Sequence, residues 1–171
     1  MDLKPYIRDV PDFPEPGILF RDITPLLQKP DAFGFALDQV ASHVRRLDAT
    51  AVVGIESRGF VFGAPVADRL RLPFIPVRKP GKLPSARMSV EYSLEYGVNQ
   101  LDIHADALGG EDRAVIVDDV LATGGTARAA AKLVELVGAR VAGCVFLVEL
   151  LALGGRAQLD GYAVHALISY D

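Results

Sequence analysis

A chain of 171 residues, half of them hydrophobic, is long enough to enclose one core and has the composition of a folded protein, not of a disordered or collagen-like one. Its 22 acidic residues outnumber its 18 basic ones, and the net charge of -4 argues against general affinity for nucleic acid or a membrane surface; any anion must be bound locally. The single cysteine excludes an internal disulfide and no charged-then-apolar leader is visible, so a cytoplasmic protein is expected.

The first thirty residues hold Pro11, Pro14, Pro16, Pro25 and Pro30, too many for a helix interior or a central strand, and read as an irregular cover over the core. Over 31–47, Asp31 is placed to cap a helix that carries Phe33, Ala36, Val40, Val44 and Leu47 on one face. TAVVGI reads as a short strand, ESRGF as a turn, and GFVFGAPVADRL as a helix that Pro65 would kink if it runs through. LPFIPV is another strand candidate.

Further strands are expected at QLDIH (100–104), RAVIVDD (113–119), ARVAGCVFLVEL and AVHALIS, with TARAAAKLVELVG a helix closed by Gly138. The run VAGCVFLVELLAL (141–153) is interrupted by Glu149 and falls short of the roughly 18 apolar residues of a membrane span. Strands alternating with helices imply crossover units, hence a single α/β domain over 1–171 with a mainly parallel twisted sheet flanked by helices.

In such sheets ligands gather outside the carboxyl ends of the strands, and VIVDDVLATGGT (115–126) delivers Asp118 and Asp119 to that edge. Side by side, they could coordinate a metal, accept hydrogen bonds from vicinal sugar hydroxyls, or be solvated turn residues. Thr123, Gly124, Gly125 and Thr126 then enter a helix, where free N–H groups and the helix dipole favour a phosphate. No lysine of the GxxxxGK[ST] type is present, so the turn is not a nucleoside-triphosphate loop. A phosphate beside sugar hydroxyls describes a ribose 5-phosphate.

Arg78, Lys79, Lys82 and Arg87 concentrate positive charge, either as a solvated face or as a trap for a polyanion. Residues 79–99 show little regular pattern, and so long a loop in a compact domain is disordered or a functional lid; a lid would exclude water and bring in a residue missing from the open site. His43, His104 and His165 lack metal-ligand spacing and are assigned structural or surface roles, and Cys144 reads as a buried, unreactive thiol.

The apolar strand, paired acids, two spacers and ATGGT resemble the phosphoribosyl-pyrophosphate signature of type I phosphoribosyltransferases. With DFPEPGILFRDITPLL, GIESRGFVFGAPVA, VRKPGKLP and YSLEYG in order, the chain is more narrowly similar to the adenine phosphoribosyltransferases. The resemblance implies a Rossmann-like type I phosphoribosyltransferase fold with a small N-terminal hood at about 1–30, a core at 31–171 and a lid loop at about 79–99. It implies the conversion of adenine and 5-phosphoribosyl-1-pyrophosphate to AMP and pyrophosphate in purine salvage. Magnesium (Mg2+) would be held mainly through the substrate, with no metal ligated directly by the protein.

By the same resemblance, Ala122, Thr123, Gly124, Gly125 and Thr126 hold the 5-phosphate, and Asp118 and Asp119 the ribose hydroxyls. Displacement at the anomeric carbon builds negative charge on the departing pyrophosphate, which needs cations and N–H donors. Ser57, Arg58, Arg78, Lys79 and Lys82 are the implied set, with a strained peptide between Ser57 and Arg58 turning N–H groups toward that leaving group. Leu19, Phe20 and Arg21 would surround the adenine, Phe20 offering a stacking face. Glu95 would exchange a proton with N7 of the purine.

Hypoxanthine-guanine enzymes generally carry an aspartate where this chain has Ala122, which leaves the N7 role to Glu95. The resemblance further implies a homodimer that shares arginines across its interface, with Arg78 the region to test. Two other functions are weighed: a phosphoribosyltransferase for xanthine, guanine or hypoxanthine, against which Ala122 and YSLEYG argue, and a non-catalytic regulator that binds phosphoribosyl pyrophosphate. Against the regulator stand the acidic balance and the lack of a nucleic-acid-binding appendage.

Overall fold

Apolar runs without polar alternation become strands covered on both faces, and the centre of this molecule is built from them. A computed structural model describes residues 1–93 and 98–171. In chain order its elements are β1 (Arg8–Pro11), β2 (Leu19–Asp22), α1 (Thr24–Leu27), α2 (Pro30–Arg46), β3 (Ala51–Ile55), α3 (Arg58–Leu70), β4 (Phe74–Val77), β5 (Arg87–Ser93), β6 (Val98–His104), β7 (Arg113–Leu121), α4 (Gly125–Leu136), β8 (Arg140–Leu150) and β9 (Val164–Tyr170). Short 3-10 turns occupy Lys4–Tyr6, Leu151–Leu153 and Gly155–Leu159.

The central sheet runs β4-β3-β7-β8-β9 and every pairing in it is parallel. Successive residues of its strands serve opposite faces: Val52, Val115, Val117, Val145 and Leu147 pack with α2 and α3, while Val53, Ile116, Cys144 and Phe146 pack with α4. This is the expected three-layer α/β arrangement. On α2 the expected cap moves: Pro30 takes the first helical position after Lys29, and Asp31 sits inside the first turn. Proline loses nothing there because that N–H has no intrahelical partner, and the aspartate complements the positive end of the dipole. Through Pro65, α3 continues as one helix.

Two segments differ from expectation. The N-terminal cover is partly regular: β1 and β2 form an antiparallel hairpin, cross-linked by Arg8–Asp22 at 2.6 Å and by an Arg21–Asp9 ion pair. Pro11 is tolerated because it ends a two-stranded hairpin where no further ladder bond is required. The segment expected to lack pattern contains β5, and the strand foreseen at 100–104 begins at Val98 and pairs antiparallel with β5 instead of joining the central sheet. Its cue was present: Val90 and Tyr92 alternate with Arg87, Ser89, Glu91 and Ser93, and these two with Leu101 and Ile103 pack against the α4 core. Reciprocal bonds between Arg78 and Asp102, N to O at 2.9 and 2.8 Å, tie this arm to the end of β4.

Candidate active site

Two neighbouring strands and the helix starts that follow them frame the candidate cleft. β3 ends at Ile55, Glu56 and Ser57 follow, and α3 starts at Arg58. β7 continues to Leu121, two residues beyond the acid pair, and α4 starts at Gly125 after Gly124, whose φ of +86° is a left-handed conformation that favours glycine. The resulting cleft of about 270 Å³ is lined by Glu56, Ser57, Arg58, Asp118, Asp119, Val120, Leu121, Ala122, Thr123, Gly124, Thr126 and Ala127. The acids and the phosphate turn therefore share one hollow. Gly59 keeps the first turn of α3 against β7: a Cβ there would lie 2.8 Å from the Val117 carbonyl oxygen and 2.9 Å from Asp118 Oδ1.

A non-proline cis peptide joins Glu56 to Ser57, one residue before the Ser57–Arg58 peptide singled out in the sequence. Asp119 is 3% exposed and its Oδ2 stands 2.8 Å from Arg58 Nε, while Asp118 Oδ1 accepts the Asp119 N–H at 2.9 Å. Burial pushes the Asp118 carboxyl well above the usual carboxylate range, and the adjacent Asp119 charge adds to the shift. Burial also raises Asp119, with Arg58 opposing it. Asp118 is half-buried and Asp119 buried, and both line the cleft, where ionised carboxylate oxygens can accept from hydroxyl donors.

The Arg58 guanidinium also lies 5.3 Å from the Phe20 ring, which meets Phe13 edge-on at 5.1 Å, so one side chain spans from the acid pair to the hood. Leu19 stands beside Phe20 and is largely exposed, whereas Arg21 is turned to Asp9 and lies 3.8 Å over the Tyr170 ring. The cation cluster reaches the cleft wall through Glu56. Arg78 Nε is 3.2 Å from Glu56 Oε2, and the Lys79 N–H donates to that oxygen at 3.0 Å. These donors hold the Glu56 carboxyl below its ordinary range.

Glu56 escaped the sequence reading because only the fold brings it to the residues at 78–79. Lys79 lines a neighbouring hollow with Glu91, Tyr92 and Gln100, Lys82 is exposed, and Arg87 pairs with buried Asp102 at 3.3 Å. Gly125 starts α4 without lining the cleft; Tyr92 packs on it, and the Thr126 hydroxyl donates to the Tyr92 hydroxyl at 3.3 Å. Glu95 lies outside the described residues.

Outside the cleft, His43 stacks on His165 at 4.6 Å, and burial pushes the Cys144 thiol up to about 12, consistent with structural roles. Among the described residues no group of three or more His, Cys, Asp or Glu could hold a metal, and no helix is long and apolar enough to cross a membrane.

Residues 27–164 match the family described as "Phosphoribosyl transferase domain". An adenine phosphoribosyltransferase of Carboxydothermus hydrogenoformans is 59% identical over 170 residues, 99% of this chain and 100% of that protein. The crystal structure of adenine phosphoribosyltransferase from Thermoanaerobacter pseudethanolicus superposes with a TM-score of 0.95 at 50% identity, covering 98% of both chains. The Saccharomyces cerevisiae enzyme, crystallised with an imino-altritol bisphosphate and adenine, gives a TM-score of 0.92 at 38% identity over 96% of both chains. A likeness this deep over the whole length, on a fold whose acid pair and glycine turn meet in one cleft, means that the chain belongs to the adenine phosphoribosyltransferase family.

Proposed function

We propose that the protein transfers the 5-phosphoribosyl group of 5-phosphoribosyl-1-pyrophosphate to adenine, giving AMP and pyrophosphate as a step of purine salvage. The observation that carries this reading is the shared cleft, in which Asp118 and Asp119 stand beside the turn that opens α4. The backbone N–H groups of that turn, with the Thr123 and Thr126 hydroxyls, hold the 5-phosphate. The two carboxylates accept from the ribose hydroxyls and so place the anomeric carbon. Adenine enters under the hood, with Phe20 on one face.

As the bond from the anomeric carbon to pyrophosphate breaks and the bond to N9 forms, negative charge moves to the leaving group. The Ser57 segment and Arg58, with Arg78, Lys79 and Lys82 from the connection between β4 and β5, supply donors and positive charge for it. Glu95 takes the N7 proton in the direction of AMP and returns it in reverse. Magnesium would neutralise the pyrophosphate oxygens; with Asp118 and Asp119 adjacent at this edge, a cation that retains water and phosphate ligands would fit as part of the substrate complex.

The reading includes a homodimer and a cytoplasmic location. Buried Cys144, a free thiol, suits a reducing compartment. Light scattering during gel filtration under assay conditions tests the dimer, which a clean monomer excludes.

Conversion of radiolabelled adenine with and without magnesium tests the activity itself: AMP should form only with the metal. Parallel assays with hypoxanthine, guanine and xanthine should give kcat/KM values at least about 100-fold lower, the discrimination that buried polar contacts can provide. Equal use of another purine overturns the adenine assignment, and tight binding of phosphoribosyl pyrophosphate without turnover of any base would favour a regulator.

A further inference from the structure

We propose that the ion pair between Glu149 and Arg156 is a positioning device for the phosphate turn, acting through the backbone of Gly155. The proposal rests on reading 122–126 as the 5-phosphate site. Glu149 lies near the carboxyl end of β8, paired in register with Leu121 of β7, and is 4% exposed without lining the cleft. Its two carboxylate oxygens meet the Arg156 guanidinium in a fork, Nε to Oε1 at 2.9 Å and one terminal nitrogen to Oε2 at 2.5 Å. The other terminal nitrogen donates to the Val164 carbonyl at 2.8 Å. One side chain thus fastens the 3-10 segment to both β8 and the start of β9.

The residue next to Arg156 touches the site. Gly155 is buried, and a Cβ on it would collide with the Ala122 carbonyl oxygen and lie 2.9 Å from the Gly124 nitrogen. From the other side, a Cβ on Gly124 would collide with the Gly155 carbonyl oxygen and sit 2.9 Å from Gln158 Cβ. Two backbones are therefore in contact with no side chain between them, so a displacement of Gly155 moves the peptide units that face the phosphate. Neighbouring apolar anchors are few: Leu151 and Leu153 are about half exposed, and Leu159 is the buried side chain of this segment that packs into the α4 core. Among the described residues, the ion pair is the side-chain fastening that joins this segment to β8. A guanidinium suits it because the planar fork fixes orientation as well as distance, which a lysine ammonium does not.

The test compares full-length wild type with Arg156→Ala, Glu149→Gln and Gly155→Ala. Steady-state kinetics give kcat and KM for each substrate, calorimetry gives the affinity for ribose 5-phosphate, and thermal midpoints report overall stability. Loss of the pair should raise KM for 5-phosphoribosyl-1-pyrophosphate and the Kd for ribose 5-phosphate about tenfold, leaving KM for adenine within twofold. Arg156→Lys should recover only part of the loss, and Gly155→Ala, which crowds the turn but leaves the pair intact, should share the signature.

A lower thermal midpoint with both phosphate-dependent constants within twofold of wild type would overturn the proposal, as would equal losses for the two substrates. If Arg156→Ala does not fold, the same criteria applied to Glu149→Gln and Gly155→Ala decide. Should wild type bind no ribose 5-phosphate, or Thr126→Ala leave that binding unchanged, the phosphate-site reading fails and the proposal falls with it.

Discussion

The β7–α4 edge and the β5–β6 arm meet where Thr126 bonds Tyr92, and they are built in opposite ways. The edge is a buried parallel strand running into an alanine-rich helix, with Ala127, Ala130, Ala131, Leu133 and Val134 packed into the core and the turn pressed against Gly155. The arm is a two-stranded antiparallel ribbon anchored by the side chains of Val90, Tyr92, Leu101 and Ile103. An isolated ribbon is marginal in water, whereas a central strand is among the last elements to open. On the proposed function, the 5-phosphate and ribose, which must be held still throughout, meet the buried edge. On the same proposed function, Glu95, needed only during bond exchange, belongs in sequence to the segment joining β5 to β6. Changes at the edge should therefore act on binding, and changes in the arm on turnover.

Glu95→Ala gives the largest contrast. Removing the proton acceptor should lower kcat by about 10² to 10⁴ while leaving both KM values within a few fold. Steady-state assays in both directions check this, and an unchanged kcat removes Glu95 from proton transfer. At the edge, Asp118→Asn with Asp119→Asn should reduce kcat/KM for 5-phosphoribosyl-1-pyrophosphate by about 10²-fold, the scale of two weakened hydrogen bonds to substrate hydroxyls. A loss confined to adenine kinetics would dissociate the acid pair from the ribose.

The same pair makes a stability prediction of opposite sign. The folded Asp118 carboxyl has a pKa raised from 3.8, so between that value and its raised one the folded chain holds a proton the unfolded chain has released. Stability then falls as pH rises through the window, and the ionised group is destabilising at neutral pH. Asp118→Asn should raise the thermal midpoint at pH 7, by about 2 to 4 °C for each kcal/mol relieved, and the gain should shrink toward pH 4. Scanning calorimetry of the two proteins across pH would detect it. A gain that instead grows as the pH falls contradicts the burial argument.

Tyr92→Phe should have the smallest effect. It removes the 3.3 Å bond to Thr126 by which the arm touches the phosphate turn, and KM for 5-phosphoribosyl-1-pyrophosphate should rise about two- to fivefold, the loss of one neutral hydrogen bond. An effect on kcat alone would mean that the tyrosine serves the arm and not the edge.

The same division governs what the amino-acid order reveals. The strands of the parallel sheet announced themselves as mostly apolar runs, and Asp118 to Thr126 combined local chemistry with local geometry, so the edge could be derived from one short stretch. The arm strands alternate apolar and polar residues over only a few positions and carry Arg87 and Glu91, which masked a period of two. Glu56 meeting Lys79, Arg58 meeting Asp119 and Gly155 meeting Gly124 join positions more than twenty residues apart. Periodicity within a window carries no trace of such contacts; they follow from the crossover topology that sets strand ends side by side.

A crystal structure with ribose 5-phosphate tests the central claim most directly. The phosphate should sit on the backbone N–H groups of 123–126, with the Asp118 and Asp119 carboxylates on the ribose hydroxyls. A sugar phosphate bound elsewhere while the start of α4 stays empty would contradict it.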